Sequence, residues 1–226
     1  MHILVVAATS PEIDPFVAGL AGRPGGDTRF APYTRAGHDV DVLTTGVGMV
    51  ATAAWCSRVL ARGTYDVALN LGVCGTFDRA LPPGSVVHVV TDRLPELGAE
   101  DDGAFLTIEE LKLLGADEFP FQAGRLMNLA PPANAALSGL PAVHGITVNT
   151  VHGNDASIAA MTRRCAPQIE SMEGAAFMYA CLIHGLPFAQ VRAVSNVVEK
   201  RNRGSWKMAE AIRALGETAL GILDHT

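Results

Sequence analysis

A chain of 226 residues, 49% hydrophobic with a mean hydropathy of +0.24, can bury one large core, and a single domain over residues 1–226 is expected. Seventeen Lys and Arg against 23 Asp and Glu leave a net charge of -6 and a pI near 5.6, which argues against nucleic acid and for a small-molecule partner. Cys56, Cys74, Cys165 and Cys181 form no Cys-x-x-Cys pair and no histidines cluster at metal-ligand spacing, so reduced thiols in a cytosolic, metal-free protein are expected.

The start, Ile3-Leu4-Val5-Val6-Ala7-Ala8, has no basic segment before it, and no apolar run reaches membrane-spanning length; neither a signal peptide nor a transmembrane helix is expected. Short β-branched runs bounded by Gly and Pro follow one another: Ile3 to Ala8, Val40 to Thr45, Val67 to Leu71, Val86 to Val90, Ile146 to Val151 and Phe188 to Ser195. They read as buried strands. Alanine-rich helical stretches lie near Val50 to Ala61, Ser157 to Arg164, Glu173 to His184 and Trp206 to Leu223. The alternation implies an α/β sandwich with a mixed or mostly parallel sheet. Leu94 to Pro132, rich in Gly, Pro, Asp and Glu, reads as an excursion, a lid or an interface, in which Ile108 to Leu114 alone is predicted helical.

Chemistry-bearing residues gather where strands end. In Thr9-Ser10-Pro11-Glu12, Ser10 is the expected N-cap of a helix, with Pro11 at its first position. Glu12 either complements the helix dipole or serves as general base for a water. Gly46-Val47-Gly48-Met49-Val50-Ala51 formally matches a dinucleotide fingerprint. The acid that should end the next strand is missing, since Asp66 precedes Val67 to Leu71, so Gly46 and its neighbours either shape a tight turn or let backbone approach a sugar or anion. A second turn, Gly72-Val73-Cys74-Gly75, ends the next strand.

Glu173, in Glu170-Ser171-Met172-Glu173-Gly174-Ala175-Ala176, opens an apolar helix. A carboxylate there needs partners: two vicinal sugar hydroxyls, a capping role, or an internal pair with Arg192, which itself lies in a buried strand. Asn196 ends that strand with an amide suited to reading a purine.

In order and spacing these segments resemble the nucleoside phosphorylase/nucleosidase superfamily over nearly the whole chain, and within it the branch holding methylthioadenosine/S-adenosylhomocysteine nucleosidase and futalosine hydrolase. The resemblance implies a three-layer α/β/α sandwich with a mixed central sheet, and a homo-oligomer without cofactor or metal that cleaves an N-glycosidic bond. Carried over, Glu12 activates water and Asn196 meets the leaving base; Gly46, Val73, Cys74, Gly75, Met172, Glu173, Ser195 and Arg192 bind substrate, with Met172 on the sugar and Ser195 at the purine.

The adenine-cleaving members carry an aspartic acid where this chain has Asn196. An amide supplies no proton but can donate to a 6-oxopurine, so hypoxanthine is the expected base. With the segment Val197 to Trp206, this points to futalosine, whose carboxyphenyl end Arg201 or Arg203 would assist; the alternative is a solvated loop with Ser205 capping the last helix. Three other readings remain. A phosphorylase would need an arginine where Asn70 and Leu71 stand. An adenine-specific nucleosidase is disfavoured by Asn196, and a non-catalytic nucleoside binder would not need Glu12.

Overall fold

The computed structural model describes residues 1–22 and 29–226. In chain order the elements are β1 (His2–Ala7), α1 (Ser10–Ala18), β2 (Phe30–Arg35), β3 (His38–Thr44), α2 (Met49–Leu60), β4 (Val67–Thr76), β5 (Val86–Asp92), β6 (Gly98–Asp101), β7 (Ala104–Thr107) and β8 (Leu126–Met127). There follow α3 (Ala135–Ser138), β9 (Ala142–Thr147), α4 (Asp155–Cys165), β10 (Ile169–Ser171), α5 (Gly174–Ile183), β11 (Phe188–Val197), a 3-10 turn (Arg203–Ser205) and α6 (Met208–Asp224).

The sheet runs β10-β9-β5-β11-β4-β1-β3-β2, with β8 paired to β5. β1 pairs in parallel with β3 and β4, and β11 with β4, whereas β11 meets β5 and β2 meets β3 antiparallel, so the sheet is mixed. β10 adds a second pairing, antiparallel to the end of β4 through Ile169 with Thr76 and Glu170 with Gly75. The strands β4, β11, β5, β9 and β10 thereby close into a ring at the carboxyl end of β4.

Alternation along the strands makes the layers. Ile3, Val5 and Ala7 pack under α1, α3 and α6 with Phe16, Leu137 and Leu215; Leu4 and Val6 pack under α2 and α5 with Cys56 and Phe177. Each fully buried Leu or Phe contributes roughly 1.5–3 kcal/mol, and both faces of the sheet are covered. The result is the α/β/α sandwich. Among the described residues no helix is long and apolar enough to cross a membrane.

Several expectations need correction. Ile108 to Leu114 forms consecutive turns: the Thr107 and Glu110 side chains bond each other's backbone N–H, but Lys112 takes a φ of 57° and stops the chain from continuing as a helix. The same excursion carries the β6–β7 hairpin, which pairs only with itself. The helix after β1 is capped by Thr9, one residue before Ser10. Ser205 does not cap the last helix, because its hydroxyl donates to Asn202 O and the 3-10 turn intervenes before Met208. β9 ends at Thr147, since its partners β5 and β10 lie alongside Ala142 to Thr147, and Asn149 to Val151 leave the sheet. β2 and β10 lie outside the runs read as strands, and Gly72 to Gly75, read as a turn after the strand, lie within β4, because β11 and β10 pair with them there.

Candidate active site

A cavity of about 350 Å³ opens at the carboxyl ends of β1, β4, β10 and β11, beside the starts of α1 and α6. Open α/β sheets gather ligands at this edge, where backbone groups run out of sheet partners. Glu12, Val73, Cys74, Gly75, Met172, Glu173, Ser195 and Asn196 all line it. Gly46 and Arg192 do not.

Glu12 sits at the third position of α1, where a carboxylate reaches back to the cap. Its Oε2 accepts from the Thr9 N–H at 3.0 Å and the Thr9 hydroxyl at 2.9 Å, while Oε1 accepts from the Val73 N–H at 3.4 Å. It is thus both a capping residue and a cavity carboxylate.

Glu173 stands at the N-cap position of α5, where its side chain makes no capping hydrogen bond, and is 6% exposed. Its Oε1 accepts from the Gly48 N–H at 3.0 Å, and its Oε2 lies 3.9 Å from Arg192 Nη1. Gly48, at a φ of 96°, can turn that N–H toward the carboxylate because it has no Cβ. Gly46 shapes the same turn at a φ of 93°, its N–H bonded to Ala8 O. Arg192 is 1% exposed; its Nη2 donates to Asn70 Oδ1, and Asn70 in turn donates to Val6 O at 3.0 Å. The guanidinium lies behind Glu173 as a structural partner.

Asn196 owes its placement to a bulge. β11 pairs Val194 with Cys74 but Asn196 with Gly75, so Ser195 is the extra residue and the strand bends at the cavity. Asn196 Nδ2 donates to Val197 O at 3.0 Å, which leaves one amide N–H for a ligand. The Ser195 hydroxyl lies 2.8 Å from Asn196 Oδ1 and 3.1 Å from Cys74 O, and its single proton serves one at a time. Cys74 is free, and burial pushes its thiol up to about 12, so it lines the cavity as an inert group.

Among the lining side chains that sequence reasoning missed are Glu170, His152 and Trp206. Glu170, 3% exposed on β10, accepts from the His152 N–H at 3.0 Å and from His152 Nδ1 at 2.6 Å. Burial raises its pKa, and the histidine opposes that rise. A buried acid in an apolar strand was the available signal for Glu170. His152 gave none, because its partner is 18 residues away. Trp206 also lines the cavity; Arg201 and Arg203 lie over its ring, 5.5 and 5.9 Å from the centroid, and do not line the cavity themselves.

The model of the phosphorylase superfamily matches residues 2–225. The chain belongs to the phosphorylase superfamily. Within the superfamily it is similar to the futalosine hydrolase of Streptomyces coelicolor, at 32% identity over 95% of this chain and 92% of that protein. It is likewise 31% identical to the futalosine hydrolase of Thermus thermophilus over 80% of each. Among solved structures, the Helicobacter pylori futalosine hydrolase shares the superfamily fold at a TM-score of 0.80 and 14% identity, covering 100% of this chain and 98% of that one.

Proposed function

We propose that this protein hydrolyses the N-glycosidic bond of futalosine, releasing hypoxanthine and dehypoxanthine futalosine as a step in menaquinone synthesis. The observation that carries the reading is Asn196, an amide with one N–H to give at a cavity that also holds Glu12 and Glu173. The likeness to two curated futalosine hydrolases supports it.

In this reading Glu173 accepts from the ribose hydroxyls, Met172 packs on the sugar, and Asn196 donates to the 6-oxopurine. Glu12 takes a proton from the water that attacks the sugar carbon. Such base catalysis is typically worth about 10²-fold to 10⁴-fold. Water suits this cavity better than phosphate: among the described residues no Lys or Arg lines it, and Arg192 is engaged by Asn70 and Glu173. The chemistry needs no cofactor.

A homo-oligomer is part of the same proposal. An apolar groove between α2 and α5, edged by Val50, Tyr179 and Ile183, is the kind of surface that a second copy covers.

The test is incubation with futalosine, inosine and methylthioadenosine, each with and without phosphate, followed by detection of free base. Phosphate-independent release of hypoxanthine from futalosine is the expected result. Release of adenine, or a requirement for phosphate, would overturn the reading.

A further inference from the structure

The departing purine leaves with the electron pair of the broken bond and must take up a proton, which the Asn196 amide cannot give. Among the described residues, the titratable side chains lining the cavity are Glu12, Cys74, His152, Glu170 and Glu173. Glu12 lies against Thr9 and Val73, and Glu173 against Gly48 and Arg192. The Cys74 thiol, held up near 12, gives up no proton. Both Glu170 oxygens are taken by His152.

His152 is different. Its side chain is 8% exposed, its ring is fixed by Nδ1 on Glu170 at 2.6 Å and by an edge-on contact with Phe77 at 6.2 Å, and its Nε2 makes no hydrogen bond to the described residues. The Glu170 and Asn196 side chains flank the same glycine: a Cβ on Gly75 would lie 3.4 Å from Asn196 Nδ2 and 3.6 Å from Glu170 Cγ. A histidine oriented by a carboxylate, with its other nitrogen free at a cavity, is an arrangement for moving a proton.

We propose that His152, oriented by Glu170, gives the leaving purine its proton, as the catalytic acid that the amide at position 196 cannot be. The inference rests on the nucleoside-cleaving reading above. As water adds to the ribose carbon, the bond to purine N9 breaks and its electron pair passes into the base. The proton moves from His152 Nε2 to purine N7, and Glu12 takes the proton of the water. That proton then returns from Glu12 to His152 through solvent, so one water is consumed and no other reactant is needed. Glu170 is a positioning residue: it holds the imidazole by Nδ1 and leaves Nε2 for the base. The other charges nearby are Glu96, which accepts from the Asn149 N–H and raises Glu170, Glu12 and Glu173 on the cavity wall, and Arg201, whose backbone N–H bonds Gly153 O while its guanidinium and that of Arg203 lie over Trp206.

The experiment compares wild type, His152→Gln and Glu170→Gln on futalosine and on its N7-methylated form, which leaves as a neutral base and needs no proton at N7. His152→Gln should lose about 100-fold or more in kcat on futalosine and less than about threefold on the methylated substrate. Glu170→Gln should lose less, and should move the alkaline fall of kcat to lower pH. Equal losses on both substrates would overturn the proposal, as would an unchanged pH profile in both variants. Thermal melting identifies a variant that fails to fold, and the other variant then decides. Wild-type release of hypoxanthine tests the functional reading by itself. If wild type cleaves another nucleoside, the same comparison runs on that nucleoside and its N7-methylated form; if it cleaves none, the proposal falls too.

Discussion

The guanidinium of Arg192 occupies the space that any side chain at position 72 would need: a Cβ built on Gly72 would overlap Nη1. Gly72, within β4, therefore serves the packing of a buried cation, which holds Asn70 and backs Glu173. Gly72→Ala should displace the guanidinium and leave a buried charge poorly paired. A loss of about 3 kcal/mol is expected, read by urea or thermal denaturation. An unchanged midpoint would refute this account of Arg192.

Glu12→Gln keeps the shape of the cap but cannot accept a proton from water. The kcat on futalosine should fall about 10²-fold to 10⁴-fold while binding of hypoxanthine changes little. Because Gln at this position still accepts from Thr9, the melting temperature should stay close to that of wild type. A variant that kept its kcat would remove Glu12 from the chemistry.

Asn196→Asp exchanges an amide for an acid where the proposed reaction puts the base. Hypoxanthine release from futalosine should fall about tenfold or more, since the donor to the oxo group is gone, and adenine release from methylthioadenosine should rise. The ratio of the two bases, measured on one enzyme preparation, reads the change directly. A ratio that does not move would mean that position 196 does not select the base.

Arg201 and Arg203 stack on Trp206 at the cavity edge, where they could meet a carboxylate beyond the 5′ position. Both are exposed, so the contribution is modest. The double change to Ala should raise KM for futalosine about fivefold, leave kcat within about twofold, and leave inosine untouched. Parallel effects on both nucleosides would point to Trp206 packing instead.

Burial raises Asp92 from 3.8 to about 6, against hydrogen bonds from Gln190, Thr147 and the Arg93 N–H. The folded state therefore holds this proton more tightly than the unfolded chain does. Its stabilising contribution is complete below about pH 4 and lost as the pH rises through about 6, a difference of roughly 3 kcal/mol. Wild type should lose stability across that window relative to Asp92→Asn, as followed by denaturation midpoints from about pH 4 to about pH 7. Parallel profiles for the two proteins would show that Asp92 does not carry the slope.

Much of the fold was legible because its signals are local. Runs such as Ile3 to Ala8 are apolar on both faces, and only a strand covered by helices on either side keeps both faces dry. β10 escaped because three residues carry too little periodicity, and Ile108 to Leu114 misled because a single turn of helix-forming residues looks the same whether or not the chain continues.

The sequence by itself determined which groups the cavity would contain: Glu12 and Glu173 stand at helix starts, Val73 to Gly75 and Asn196 near the ends of β4 and β11, and their order fixes the edge of the sheet at which they meet. Tertiary structure alone decided how those groups are paired. It turned Arg192 inward to Asn70 and set His152 on Glu170 at the cavity. Hydrogen bonds between residues far apart in the chain depend on register and on the bulge at Ser195, which no local pattern encodes.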